Sequence, residues 1–142
     1  MLQQNRNDYR EVFFKVWQKI DQQQTITDAM ENIIAQIISQ HPEYHNILSD
    51  YDKYIEKDYT PESGQSNPFM HMGMHIAITE QLMTDQPATI KSIYQQLCTK
   101  LGDSHTVEHL MMECLGSMMW TAQKNQNMPD FNAYLTCIKN NL

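Results

Sequence analysis

The sequence predicts an all-α protein, a helical bundle of about six to seven helices around a histidine-rich centre, in a single helical domain over residues 1–142. Three observations carry this expectation. Apolar residues recur at spacings of three and four along most of the chain, which paints one face of a helix and does not alternate as a half-buried strand does. Only four glycines and five prolines interrupt 142 residues, too few for the turns of an all-β fold. The abundance of Gln, Asn, Met, Leu and Ile favours helix in the same direction. With 41% hydrophobic residues, a chain of this length builds one ordinary core.

The elements follow in order. Asn7 caps a first helix to Gln22 whose stripe is Tyr9, Val12, Phe13, Val16, Trp17 and Ile20. Thr25 or Thr27 caps a second, with Ile26, Met30, Ile33, Ile34, Ile37 and Ile38 on its buried side. That helix ends near Gln40, because Pro42 disfavours the α conformation at His41. Pro42 suits a first helical position, so a third helix runs from there to about Lys57. Residues 58–66 carry Pro and Gly without periodicity and read as a loop. Asn67-Pro68, an N-cap followed by proline, opens a fourth helix to about Thr84. Pro87 starts a fifth that stops at Gly102, Asp103 caps a sixth through Trp120 to about Lys124, and Pro129 or Asp130 opens a last helix to Lys139. Trp17 and Trp120 read as core.

Charge and cysteine usage exclude several functions. Seventeen Asp and Glu against ten Lys and Arg leave a formal charge of -7, which repels phosphate backbones and anionic lipid, so neither nucleic acid nor a membrane is an expected partner. The longest stretch of low charge, Thr60 to Thr84, is broken by Pro61, Gly64, Pro68 and histidines, so it cannot span a bilayer. The N-terminus shows no apolar signal core behind a basic start. Cys98, Cys114 and Cys137 are odd in number, widely spaced and without a CxxC pair, which suggests neither a disulfide framework nor a thiolate zinc site and points to a reducing cytoplasm.

The histidines carry the chemistry. All six, His41, His45, His71, His75, His105 and His109, fall into pairs four residues apart. Random placement would give about 0.2 such pairs, so three is improbable at roughly one in a thousand. Four residues turn a helix by only about 40° beyond a full turn, so both imidazoles of a pair point the same way and can grip one ion. Glu113 extends the row of His105 and His109, and Glu80 follows His75 by five. Imidazoles with one or two carboxylates suit zinc, iron, copper or nickel, whereas magnesium and calcium prefer oxygen. A single such pair is more often a surface feature or a histidine bonded to a carbonyl; three pairs that use every histidine shift the balance to ligation. The positive field at helix starts opposes a bound cation and leaves room for an oxyanion, and Glu43, Glu80, Glu108 and Glu113 offset it. Strict up-and-down winding would put His41 and His45 roughly 20 Å from the other pairs. The loop at 58–66 can reach about 30 Å, however, and so can bring them back.

Eleven methionines, including Met70, Met72, Met74, Met111, Met112, Met118 and Met119, offer thioethers for copper, though Met at helical spacing is usually core filling. The segments HPEYHNIL at 41–48, NPFMHMGMHIAITEQL at 67–82 and GDSHTVEHLMMECLGSMMWTAQ at 102–123 resemble a bacterial family catalogued as a domain of unknown function, family 1841. The resemblance implies a signature at His41, Pro42, His45, Asn67, Pro68, His71, His75, Glu80, Gln81, His105, Glu108, His109, Glu113, Cys114 and Trp120, and it implies no reaction. At the level of pattern the chain is also similar to hemerythrin-like bundles and other small helical proteins with three-histidine sites.

The functional expectation is a cytoplasmic metal-binding bundle with a non-haem site, iron favoured and as a pair, zinc or copper as alternatives. Its ligands would be the six histidines and Glu113, with Glu80 as ligand or proton acceptor. Open positions on the metal would bind oxygen, peroxide or a small anion, or activate water. The competing expectations are a non-catalytic module that recognises another protein, with a structural zinc or no metal, and a copper or zinc handling protein.

Overall fold

The computed structural model describes residues 2–142 and shows, among them, helices and no strands. It is an all-α bundle with eight α-helices among the described residues. The chain divides into two compact units, one closing at Ile76 and one from Ala77 to Leu142. No helix among the described residues is long and apolar enough to cross a membrane.

The first unit is built from α1 (Leu2–Asp21), α2 (Ala29–Ser39), α3 (His45–Leu48), α4 (Tyr51–Tyr54) and the start of α5 (Pro68–Thr84). α1 begins five residues before the expected cap, and Asn7 instead donates from its side chain to Glu56. The cap of α2 is Asp28, whose carboxylate accepts the Glu31 N–H, and not Thr25 or Thr27. The expected helix from Pro42 to Lys57 is broken. A 3-10 turn at Pro42–Tyr44 leads into α3, and the chain turns again at Ser49 and Asp50 before α4. Ser49 sits at this break with its hydroxyl donating to the His45 carbonyl and accepting from Trp17 Nε1. Such side chain to backbone bonds compete with helix continuation.

Phe13, Phe14 and Val16 of α1 pack with Ile34, Ile37 and Ile38 of α2, Leu48, Ile55, Phe69 and Met72. Each of these side chains contributes roughly 1.5–3 kcal/mol by leaving water. Arg10 is also buried, 2% exposed. Its guanidinium donates to the carbonyls of Tyr54, Ile55 and Lys57 and lies over the rings of Phe69 and Tyr59. It thus ties the end of α4 and the following turn to α1.

The second unit holds the end of α5, α6 (Ile90–Leu101), α7 (Ser104–Asn125) and α8 (Phe131–Lys139), with α7 packed on both α6 and α8. α6 begins at Ile90 rather than at Pro87. Gly102 closes it at φ 73, the left-handed conformation glycine adopts without strain. Asp103 and Asp130 cap α7 and α8 with their carboxylates, as their positions in the sequence suggest. Tyr134 is buried and donates to Gln81 Oε1, and burial pushes its phenol far above the usual tyrosine range.

Two expectations are corrected here. Cys114 and Cys137 form a disulfide that joins α7 to α8, where the odd count and wide spacing argued for none. It closes a loop across 23 positions, worth roughly 3 kcal/mol in the chain-entropy account. Trp120 is 62% exposed under the Lys124 ammonium, not core. The buried stripe of α7 includes Met111, Cys114, Leu115, Met118 and Ala122, and a position two residues from Met118 is turned about 200° from it. Met72, Met111, Met112 and Met118 fill the interior, whereas Met70 and Met119 are exposed.

Candidate metal centre

The site starts from two helix ends. At α5, Asn67 Oδ1 accepts the N–H groups of Phe69 and Met70, which sets the first turn. His71 and His75 then stand one turn apart on the same side, with ring centroids 4.8 Å apart. His75 has no exposed surface and His71 is half-buried. Their Nε2 atoms are 3.2 Å apart. Two nitrogens each about 2.05 Å from one ion and 3.2 Å apart would subtend about 103° there, close to tetrahedral.

The third imidazole comes from the C-terminus of α2. His41 follows the helix in a non-helical conformation, φ -126 and ψ 64, immediately before Pro42. Its Nδ1–H donates to the Ile37 carbonyl at 2.7 Å. A carbonyl can only accept, so Nδ1 carries a proton, and in the neutral ring the lone pair is then on Nε2. This is the arrangement by which metal-ligating histidines are oriented. His41 is 4% exposed, and its ring meets those of His75 and His71 at centroid distances of 4.7 and 5.2 Å. One ligand nitrogen from each of His41, His71 and His75 lies within 4.8 Å of the others. Two nitrogens on one ion are at most about 4.2 Å apart, so the widest spread consistent with 4.8 Å closes with movement of under about 1 Å.

The expected objection from the helix dipole is answered in part by this geometry. The start of α5 presents a positive field to His71, but the end of α2 presents carbonyls and the negative end of its dipole beside His41. Tyr44 completes one wall. Its ring stacks on His41 at 5.4 Å and 3°, and it meets His71 edge-on at 6.1 Å. Burial, then the nearby Glu43, raises the Tyr44 phenol above its ordinary range, so it stays protonated.

The remaining sequence-derived candidates are placed as follows. His45 is not in the group. It donates Nε2–H to the Ile38 carbonyl at 2.9 Å and lies against Trp17 at a centroid distance of 4.4 Å. His41 and His45 therefore both satisfy carbonyls at the end of α2, one turned toward α5 and the other toward α1. The same-face argument assumed a regular helix through both, and residues 41–45 do not form one. His105 and His109, in the second unit, form their own pair with centroids 4.4 Å apart, and His109 Nδ1–H donates to the His105 carbonyl. Glu80 and Glu113 are exposed.

No motif or spacing in the sequence singles out Tyr44 or Arg10 as a functional residue. The one pointer to Tyr44 is its place between two histidines; Arg10 offers none, since a lone arginine on a helix is ordinarily solvated.

No curated protein and no solved structure matches this chain. The family model described as Domain of unknown function (DUF1841) matches residues 5–140, which include all six histidines. The chain belongs to this family.

Proposed function

We propose that this protein binds a transition metal ion through His41, His71 and His75. The observation that supports the reading best is the convergence of three ligand nitrogens within 4.8 Å, two of them on buried rings. An imidazole donor set suits iron, zinc and copper and disfavours magnesium and calcium. Three protein ligands leave positions open on the ion, where oxygen, peroxide, a small anion or water can bind. The chain's own part is to hold each ring: Ile37 fixes the tautomer of His41, Asn67 sets the turn that carries His71, and Tyr44 covers His41.

The test is metal analysis of the untagged full chain, followed by titration of the demetallated protein with Fe²⁺, Zn²⁺ and Cu⁺. One tight equivalent is expected, lost in His41→Ala, His71→Ala and His75→Ala and kept in His45→Ala. His71 is half-buried, so His71→Ala tests ligation with the least disturbance of the core. A second equivalent, lost in His109→Ala or Glu113→Gln, would assign metal to the pair on α7 as well. No binding by the folded wild-type protein, or full retention in folded His71→Ala, overturns the proposal. The three rings would then serve as a hydrogen-bonded core cluster.

A further inference from the structure

The second unit holds a group that the metal reading does not use. The disulfide between Cys114 and Cys137 has its Cα atoms 5.8 Å apart, and both cysteines line a cavity of about 270 Å³ between α7 and α8. At about 30 Å³ per water, this space holds several waters or the chain of a small thiol. Ser117, Thr121, Asn125, Asn127 and Asp130 share its walls, so the space is lined by polar residues, one of them a carboxylate, as well as by hydrocarbon. The two sulfurs differ in setting: Cys114 is 4% exposed within the stripe of α7, whereas Cys137 is half-buried on α8.

We propose that Cys114 and Cys137 form an exchange-competent thiol/disulfide pair, with Cys137 the sulfur that a low-molecular-weight thiol attacks from this cavity. The thiolate of the small molecule attacks Cys137 Sγ, the Sγ–Sγ bond breaks, and Cys114 leaves as a thiolate that takes a proton from solvent. A second thiolate attacks the mixed disulfide on its outer sulfur and releases Cys137 as a thiolate, which is protonated in turn. In sum, two small thiols become one small disulfide, and the protein disulfide gains two electrons and two protons. Half-buried Cys137 is more accessible to attack than buried Cys114, which sets the order. The conformational consequence falls on α8. It has nine residues, too short to persist alone, and is held to the unit by the disulfide and by the buried Tyr134 and Ile138.

The experiment uses the full chain with Cys98→Ser, which removes the third thiol. Oxidised protein is incubated in millimolar glutathione without denaturant, quenched by alkylation, and read by intact mass and peptide mapping. The disulfide is expected to open within minutes to hours, with an intermediate glutathione adduct on Cys137 and a fall in melting temperature of roughly 10 °C on full reduction. With glutathione disulfide, Cys114→Ala should take an adduct at Cys137 at least about tenfold faster than Cys137→Ala takes one at Cys114. A disulfide that opens only in denaturant overturns the proposal, as do equal adducts on both cysteines or two free thiols after oxidation. The wild-type pair answers the first question without any variant at these positions.

Discussion

Replacing Arg10 with methionine tests how the first unit is held together. The guanidinium is 2% exposed, and its Nη1 donates to the Tyr54, Ile55 and Lys57 carbonyls at 3.3, 3.1 and 2.8 Å. One nitrogen carries two hydrogens, so at most two of these count in full, at about 1.5–3 kcal/mol each for a charged donor. Contact with the Phe69 ring, 4.8 Å from the guanidinium carbon, adds about 1 kcal/mol. Against this stands the cost of keeping the cation out of water, several kcal/mol, which methionine avoids while filling most of the stem volume. The net loss expected for Arg10→Met is therefore about 2–4 kcal/mol. The assay is urea unfolding in a Trp120→Phe background, which leaves Trp17 as the sole tryptophan and so reports on the first unit. Trp120 is exposed, so its replacement is nearly neutral. A change within about 0.5 kcal/mol would refute the clamp. Phe69 stands two residues before His71, so the same variant should also weaken metal binding at the proposed site.

Gly73 is closely approached by Tyr9, and a Cβ added there would run into its hydroxyl. Gly73→Ala should cost about 1–3 kcal/mol, and adding Tyr9→Phe should recover part of it, measured as a double-mutant cycle. Equal losses with and without the hydroxyl would place the cost elsewhere in the helix. Asp103 caps α7, and its carboxyl lies below the ordinary value because the Thr106 hydroxyl and then the His105 N–H bond its charged form. A depressed carboxylate contributes stability above its unfolded value of 3.8 that disappears as pH falls through the lower folded value. Asp103→Asn should retain the cap and flatten that part of the acid limb below about pH 4, checked by acid titration of helicity against wild type. An unchanged acid limb would remove Asp103 from the account.

How much of this was legible in advance depends on whether the deciding interaction is local. The beginnings at Asn67, Asp103 and Asp130 were readable because a capping side chain bonds backbone groups two or three residues away, and the end at Gly102 because glycine adopts the left-handed conformation without strain, whatever the rest of the fold does. The pairing of His71 with His75 was readable for the same reason, since both ride one unbroken helix. Local signals misled where two of them competed. Pro42 permits a helix start, yet the bonds of His41, His45 and Ser49 to nearby carbonyls divide residues 42–57 into short segments.

The amino-acid order by itself determined the helical class, most helix limits and the two imidazoles on α5, because period and capping act over a few residues. Only the tertiary structure decided that His41 joins them while His45 turns to Trp17, that Arg10 is enclosed by carbonyls, that Cys114 meets Cys137, and that Trp120 faces outward. Each of these depends on which distant segment occupies the space beside a side chain. That outcome is set by burial summed over a whole unit, and no spacing within one helix encodes it.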